Sequence, residues 1–108
     1  MPKYLLEVSY TAQGTQGLLK DGGTKRRAAA TAGVASLGGT IEAFYYAFGK
    51  HDVVVIVDVP DAQSAAALSL ALGASGAVSV RTTALLTAED LDAAAGKAAT
   101  ANYTPPGR

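Results

Sequence analysis

The chain contains no cysteine and no tryptophan, and its 108 residues include only one methionine, one histidine and two phenylalanines. Without a thiol it can form no disulfide, no thiolate metal site and no cysteine nucleophile, and that absence assigns no compartment. A single histidine, with no HxxxH or CxxC spacing, gives no basis for a metal centre, so neither a metal nor a cofactor is expected. Charge of one sign is missing too. Nine basic and nine acidic residues cancel, which leaves no net field to draw the chain to nucleic acid or to an anionic membrane. No run approaches the ~18 apolar residues of a membrane span. Met1-Pro2-Lys3 leads straight into an alternating segment and not into the apolar core of a signal peptide. These absences together set the expectation of a cytoplasmic protein with neither nucleic acid nor membrane as a partner.

Apolar residues nevertheless make up 49% of the chain, while aromatic residues supply only 6%, so alanine carries much of the hydrophobicity and large core side chains are scarce. The length suits one core, and we expect a single domain over residues 1–101 with an extended tail over 102–108. KYLLEVSY over residues 3–10 alternates as a strand, with Tyr4, Leu6, Val8 and Tyr10 on one face and Lys3, Leu5, Glu7 and Ser9 on the other. Residues 11–37 favour helix but are interrupted by glycines, above all Gly22-Gly23, which predicts a short helix, a break and a longer helix. TIEAFYYAF and DVVVIVDV flank Gly49-Lys50-His51, which suits a short hairpin loop with Phe48 opposite Asp52. Asp61 can cap a helix that buries Ala65, Leu68 and Leu72. AVSVRTTALL over 77–86 reads as a fourth strand, and Thr87-Ala88-Glu89-Asp90 resembles a capping box that opens an alanine-rich terminal helix.

The order β, α, β, β, α, β plus a final helix predicts an α+β fold: a ferredoxin-like sandwich, with a four-stranded antiparallel sheet and both main helices on one face. VVVIV is apolar on both faces, so the second sheet face also needs a cover. A homodimer or higher homo-oligomer packed sheet against sheet provides one. With Phe48 opposite Asp52, parity places Phe44, Tyr46, Phe48, Val54 and Ile56 on that outer face.

Several segments are together similar to the GYD-domain family of small bacterial and archaeal proteins. They are PKYLLEVSYT, GLLKDGG followed by KRR, SLGGTIEAFYYAFGKHDVVVIVDVPD, SAAALSLALGASGAVSVRTTALLT and the Glu89-Asp90 pair of the last helix. The family's namesake segment corresponds to Gly49-Lys50-His51-Asp52, with His51 where a tyrosine usually stands. The resemblance implies a dimeric α+β barrel of ferredoxin-like type and brings no catalytic residues with it.

Candidate functional residues follow from the faces. Glu7 and Arg81 sit near the middle of strands that neighbour each other in this topology, and Tyr46 and Asp58 are expected beside them, forming a ligand-binding group on the outer face. The plainer reading of Glu7 and Arg81 is an ion pair that fixes the interface. His51 beside Asp52 could act as an oriented base, although a solvated loop histidine accounts for it more simply. Lys20 and the Lys25-Arg26-Arg27 cluster lie next to Asp21 with no interleaved aromatic residues, so a solvated helix face explains them better than a phosphate site. Two functions fit. One is a homo-oligomeric module that binds a small molecule or a protein partner at the outer face. The other is a small barrel enzyme acting on a hydrophobic or carbonyl-containing metabolite.

Overall fold

In the computed structural model, which describes residues 1–108, KYLLEVSY forms β1 (Lys3–Tyr10) with Leu6 and Val8 buried. Thr11 turns the chain into α1 (Ala12–Asp21), where its hydroxyl accepts the Gly14 N–H at 3.2 Å and satisfies one of the free donors that open a helix. Gly22, at φ +85°, takes a conformation that side chains with a Cβ rarely adopt; it ends α1 and α2 (Gly23–Ser36) follows at once. Next come β2 (Thr40–Tyr46) and β3 (Val53–Asp58). The Asp61 carboxylate then caps α3 (Ala62–Ala74), accepting the Ser64 N–H at 2.8 Å and the Ser64 hydroxyl at 2.7 Å. After β4 (Val78–Leu85), a reciprocal pair of bonds opens α4 (Ala88–Ala98): Thr87 Oγ1 accepts the Asp90 N–H at 3.0 Å, and Asp90 Oδ2 accepts the Thr87 N–H at 3.1 Å.

The four strands form one antiparallel sheet in the order β2-β3-β1-β4, the ferredoxin-like arrangement expected from the sequence. α2 packs over β2 and α3 over β4, and one core joins the layers: Leu6 and Val8 of β1, Val53, Val55 and Val57 of β3, then Val59, Val34, Ala65 and Leu68. Helix α4 stands apart. None of its residues is buried, Leu86 and Leu91 remain 67% and 61% exposed, and the radius of gyration is 17.2 Å where about 13 Å is usual for this length. No helix is long and apolar enough to cross a membrane.

The hairpin corrects the expected facing of β2. The Ala47 N–H donates to Asp52 O at 2.8 Å, and Tyr46 pairs with Val53 and Phe44 with Val55, so the loop spans residues 48–51 and Ala47, not Phe48, stands opposite Asp52. One residue of slip inverts every side chain of the strand. Phe44 and Tyr46 therefore face the helices, where their rings meet edge to face at 5.3 Å and Tyr46 Oη donates to Gly23 O at 2.8 Å. Phe48 lies fully exposed in the loop, and Tyr45 is the aromatic residue left on the outer face. Gly49 is not among the glycines at positive φ, so the loop does not need it for that reason. A bulge between Ile41 and Ala43 frees Glu42 from the ladder.

Candidate functional site

Rows of paired residues run across the outer sheet face. Tyr45, Val54, Glu7 and Arg81 form one row from β2 to β4, and Ala43, Ile56, Leu5 and Thr83 form the next. The centre of the face is thus apolar, built from Leu5, Val54 and Ile56, while each end carries charge.

At one end Lys3 Nζ reaches Asp58 Oδ1 at 2.8 Å and Glu42 Oε1 at 3.2 Å, the second contact being made possible by the bulge. The hydrogen bond to Asp58, then the one to Glu42, raises the lysine pKa above its ordinary 10.5, so the ammonium is retained. Asp58 consequently belongs to a separate cluster from Glu7. Of the four residues expected to gather, Glu7 and Arg81 face one another, Asp58 lies two rows away beside Lys3, and Tyr46 is on the opposite face of the sheet.

At the other end the loop folds back over β1. His51 Nε2 lies 3.3 Å from Glu7 Oε2 and its Nδ1 lies 3.3 Å from Ser9 Oγ, leaving the imidazole only 17% exposed. It is therefore not a solvated loop residue. The carboxylate that orients it is Glu7; Asp52 instead accepts the Tyr10 N–H at 2.8 Å and donates its own N–H to Val8 O, which fastens the hairpin end to β1. Because Glu7 turns to His51, the expected Glu7–Arg81 ion pair does not form, and Arg81, exposed on β4, has no carboxylate partner.

Chemically, Glu7–His51–Ser9 is a carboxylate, an imidazole and a hydroxyl in sequence, an arrangement suited to holding or passing a proton. Acyl transfer also needs free donors for an oxyanion. Ser9 lies on the central strand, and the adjacent Tyr10 N–H is already taken by Asp52, so the arrangement favours binding and proton transfer. Sequence reasoning missed Lys3, Ser9, Glu42 and Tyr45. Lys3 and Ser9 share the parity of Glu7 and were accessible from alternation alone; Tyr45 required the loop length and Glu42 the bulge.

In comparison with known proteins, the GYD domain family model aligns with residues 4–95. No curated protein and no solved structure matches the chain.

Proposed function

This chain belongs to the GYD-domain family, and from that premise we propose that it is a homo-oligomeric module whose outer sheet face packs against a second copy and encloses a small-molecule site at its Glu7–His51–Arg81 end. The observation that carries this reading is the uncovered face itself. Leu5, Val54 and Ile56 occupy its centre and Tyr45 is 70% exposed, while α2 and α3 both cover the other side. A sheet apolar on both faces needs two covers, and a second copy is the one partner always present with the chain. The apolar residues of α4 support the same reading, because an isolated helix of 11 residues is marginal in water and gains stability by packing. Arg81 supports an anionic or acceptor group on the ligand, since a guanidinium enclosed in the interface without a carboxylate would otherwise be costly.

The placement of His51 between Glu7 and Ser9 favours one alternative, a small barrel enzyme that moves a proton on a hydrophobic or carbonyl-containing metabolite. Conversion of a co-purified molecule by the wild type but not by His51→Gln would select it. The proposal itself is tested by Arg81→Met, with molar mass by light scattering and bound small molecules by native mass spectrometry. Retained assembly with loss of the bound molecule is the expected result. Dissociation would make Arg81 an interface residue only, and an unchanged mass and ligand content would remove it from the site.

A further inference from the structure

A second cleft lies on the other side of the sheet. The strands leave a space of about 160 Å³ between α2 and α3, floored by Val8, Val53 and Val55. On one wall α2 presents Ala30 and Gly33, residues too small to reach across; on the other stand Leu68 and Leu72 of α3. Tight packing leaves few voids in a domain core, so a space of this size is a departure from ordinary packing. Its lining is almost wholly apolar and open to solvent on one side, so a guest the size of benzene fits it and displaces water that finds few partners there.

The mouth is different in character. Tyr10 and Arg26 line the cleft there, and Tyr46 stands beside Tyr10. Arg26 Nη1 lies 3.6 Å from Asp21 Oδ2, but Lys25 reaches the other oxygen of the same carboxylate at 3.7 Å, and the Arg26 side chain is 44% exposed. Asp21 therefore keeps a cation when Arg26 turns inward. Burial, then the neighbouring Tyr46, pushes the Tyr10 phenol above its ordinary 10.0, although Arg26 opposes the shift; the hydroxyl stays protonated, and a ligand carboxylate would compete with Tyr46 for its hydrogen bond. An apolar chamber with a guanidinium and a phenol at its entrance matches a small hydrophobic anion.

We propose that the cleft between α2 and α3 binds a small aromatic or branched aliphatic carboxylate, with the hydrocarbon part over Val8 and Val55 and the carboxylate at Arg26 and Tyr10. The site is independent of the outer face.

The test is a methyl-resolved NMR titration of the full chain with sodium benzoate, using benzyl alcohol as the neutral comparator. Saturable shifts confined to the methyls of Val8, Val55, Leu68 and Leu72 are expected, with benzoate the tighter of the two. Arg26→Gln should weaken benzoate about tenfold, the loss of one charge-assisted contact, and leave benzyl alcohol unchanged. At Gly33 an added Cβ meets nothing within 4 Å, so Gly33→Leu can place its side chain in the cleft; it should raise the melting temperature and abolish binding. Absence of saturable methyl shifts up to the solubility limit of benzoate overturns the proposal. So does equal affinity for the two probes together with no effect of Arg26→Gln, and so does a change in molar mass on Gly33→Leu, which would mean that a second copy fills the cleft. Should Gly33→Leu fail to fold, Arg26→Gln decides alone.

Discussion

Phe44 and Tyr45 are neighbours on β2 with opposite assignments, and replacing each by alanine separates the two faces of the sheet. Phe44 pairs with Val55 and packs against the core and the ring of Tyr46. Loss of a fully buried phenylalanine costs ~3–5 kcal/mol, and partial burial reduces this to about 2–3 kcal/mol for Phe44→Ala. For a domain of this length that corresponds to a fall of ~10–20 °C in melting temperature. Tyr45 is 70% exposed on the outer face, so Tyr45→Ala should change protomer stability by no more than ~0.5 kcal/mol and act on assembly instead. The assay is thermal unfolding by circular dichroism at matched protein concentration, because self-association makes the midpoint concentration-dependent, together with molar mass by light scattering. If Phe44→Ala melts with the wild type and alters the mass, while Tyr45→Ala leaves the mass unchanged, the β2 register is wrong.

Other perturbations test the local packing. A Cβ at Gly39 would lie 2.5 Å from Asp58 O and 2.9 Å from Val59 Cγ1, so Gly39→Ala should cost ~1–3 kcal/mol by overpacking, read as a lower denaturant midpoint. Tyr46→Phe removes the hydroxyl that donates to Gly23 O at the start of α2 and should cost ~1 kcal/mol in the same assay. The side-chain and backbone hydrogen bonds from Ser64 lower the Asp61 pKa below its ordinary 3.8. A depressed carboxylate contributes stability above its unfolded value and loses it as pH falls through the folded one. The gap in melting temperature between wild type and Asp61→Asn should therefore be constant near neutrality and shrink below pH ~4. A gap that stays constant into acid would show that the charge of Asp61 does not serve the cap.

The strands, caps and helix break were legible because each is written in local residues. The alternation of KYLLEVSY, the doubly apolar VVVIV, Asp61 with Ser64, Thr87 with Asp90 and Gly22 all act within a few positions. The facing of β2 was not legible in the same way. Its residues fix the strand, but which side Phe44 takes depends on whether the loop holds three residues or four, and Gly49-Lys50-His51 is compatible with both. The site inherited that uncertainty. Glu7 and Arg81 were placed opposite each other by parity and topology, whereas the turning of Glu7 to His51 depends on a loop folding back over β1, which no spacing encodes. The cleft under α2 was equally hidden, since Ala30 and Gly33 read as ordinary helix residues until the distance to α3 is known.

Self-association through the outer sheet face is the property on which the small-molecule site depends, and absolute molar mass measures it directly. Light scattering on the wild type at micromolar concentration should give at least twice the 10.8 kDa of one chain. Ile56→Glu places an unpaired carboxylate at the centre of that face, at a cost of several kcal/mol if it is buried there, and should return the chain to a folded monomer. A wild type that runs as a monodisperse monomer, or an Ile56→Glu variant that keeps the wild-type mass, would contradict the account.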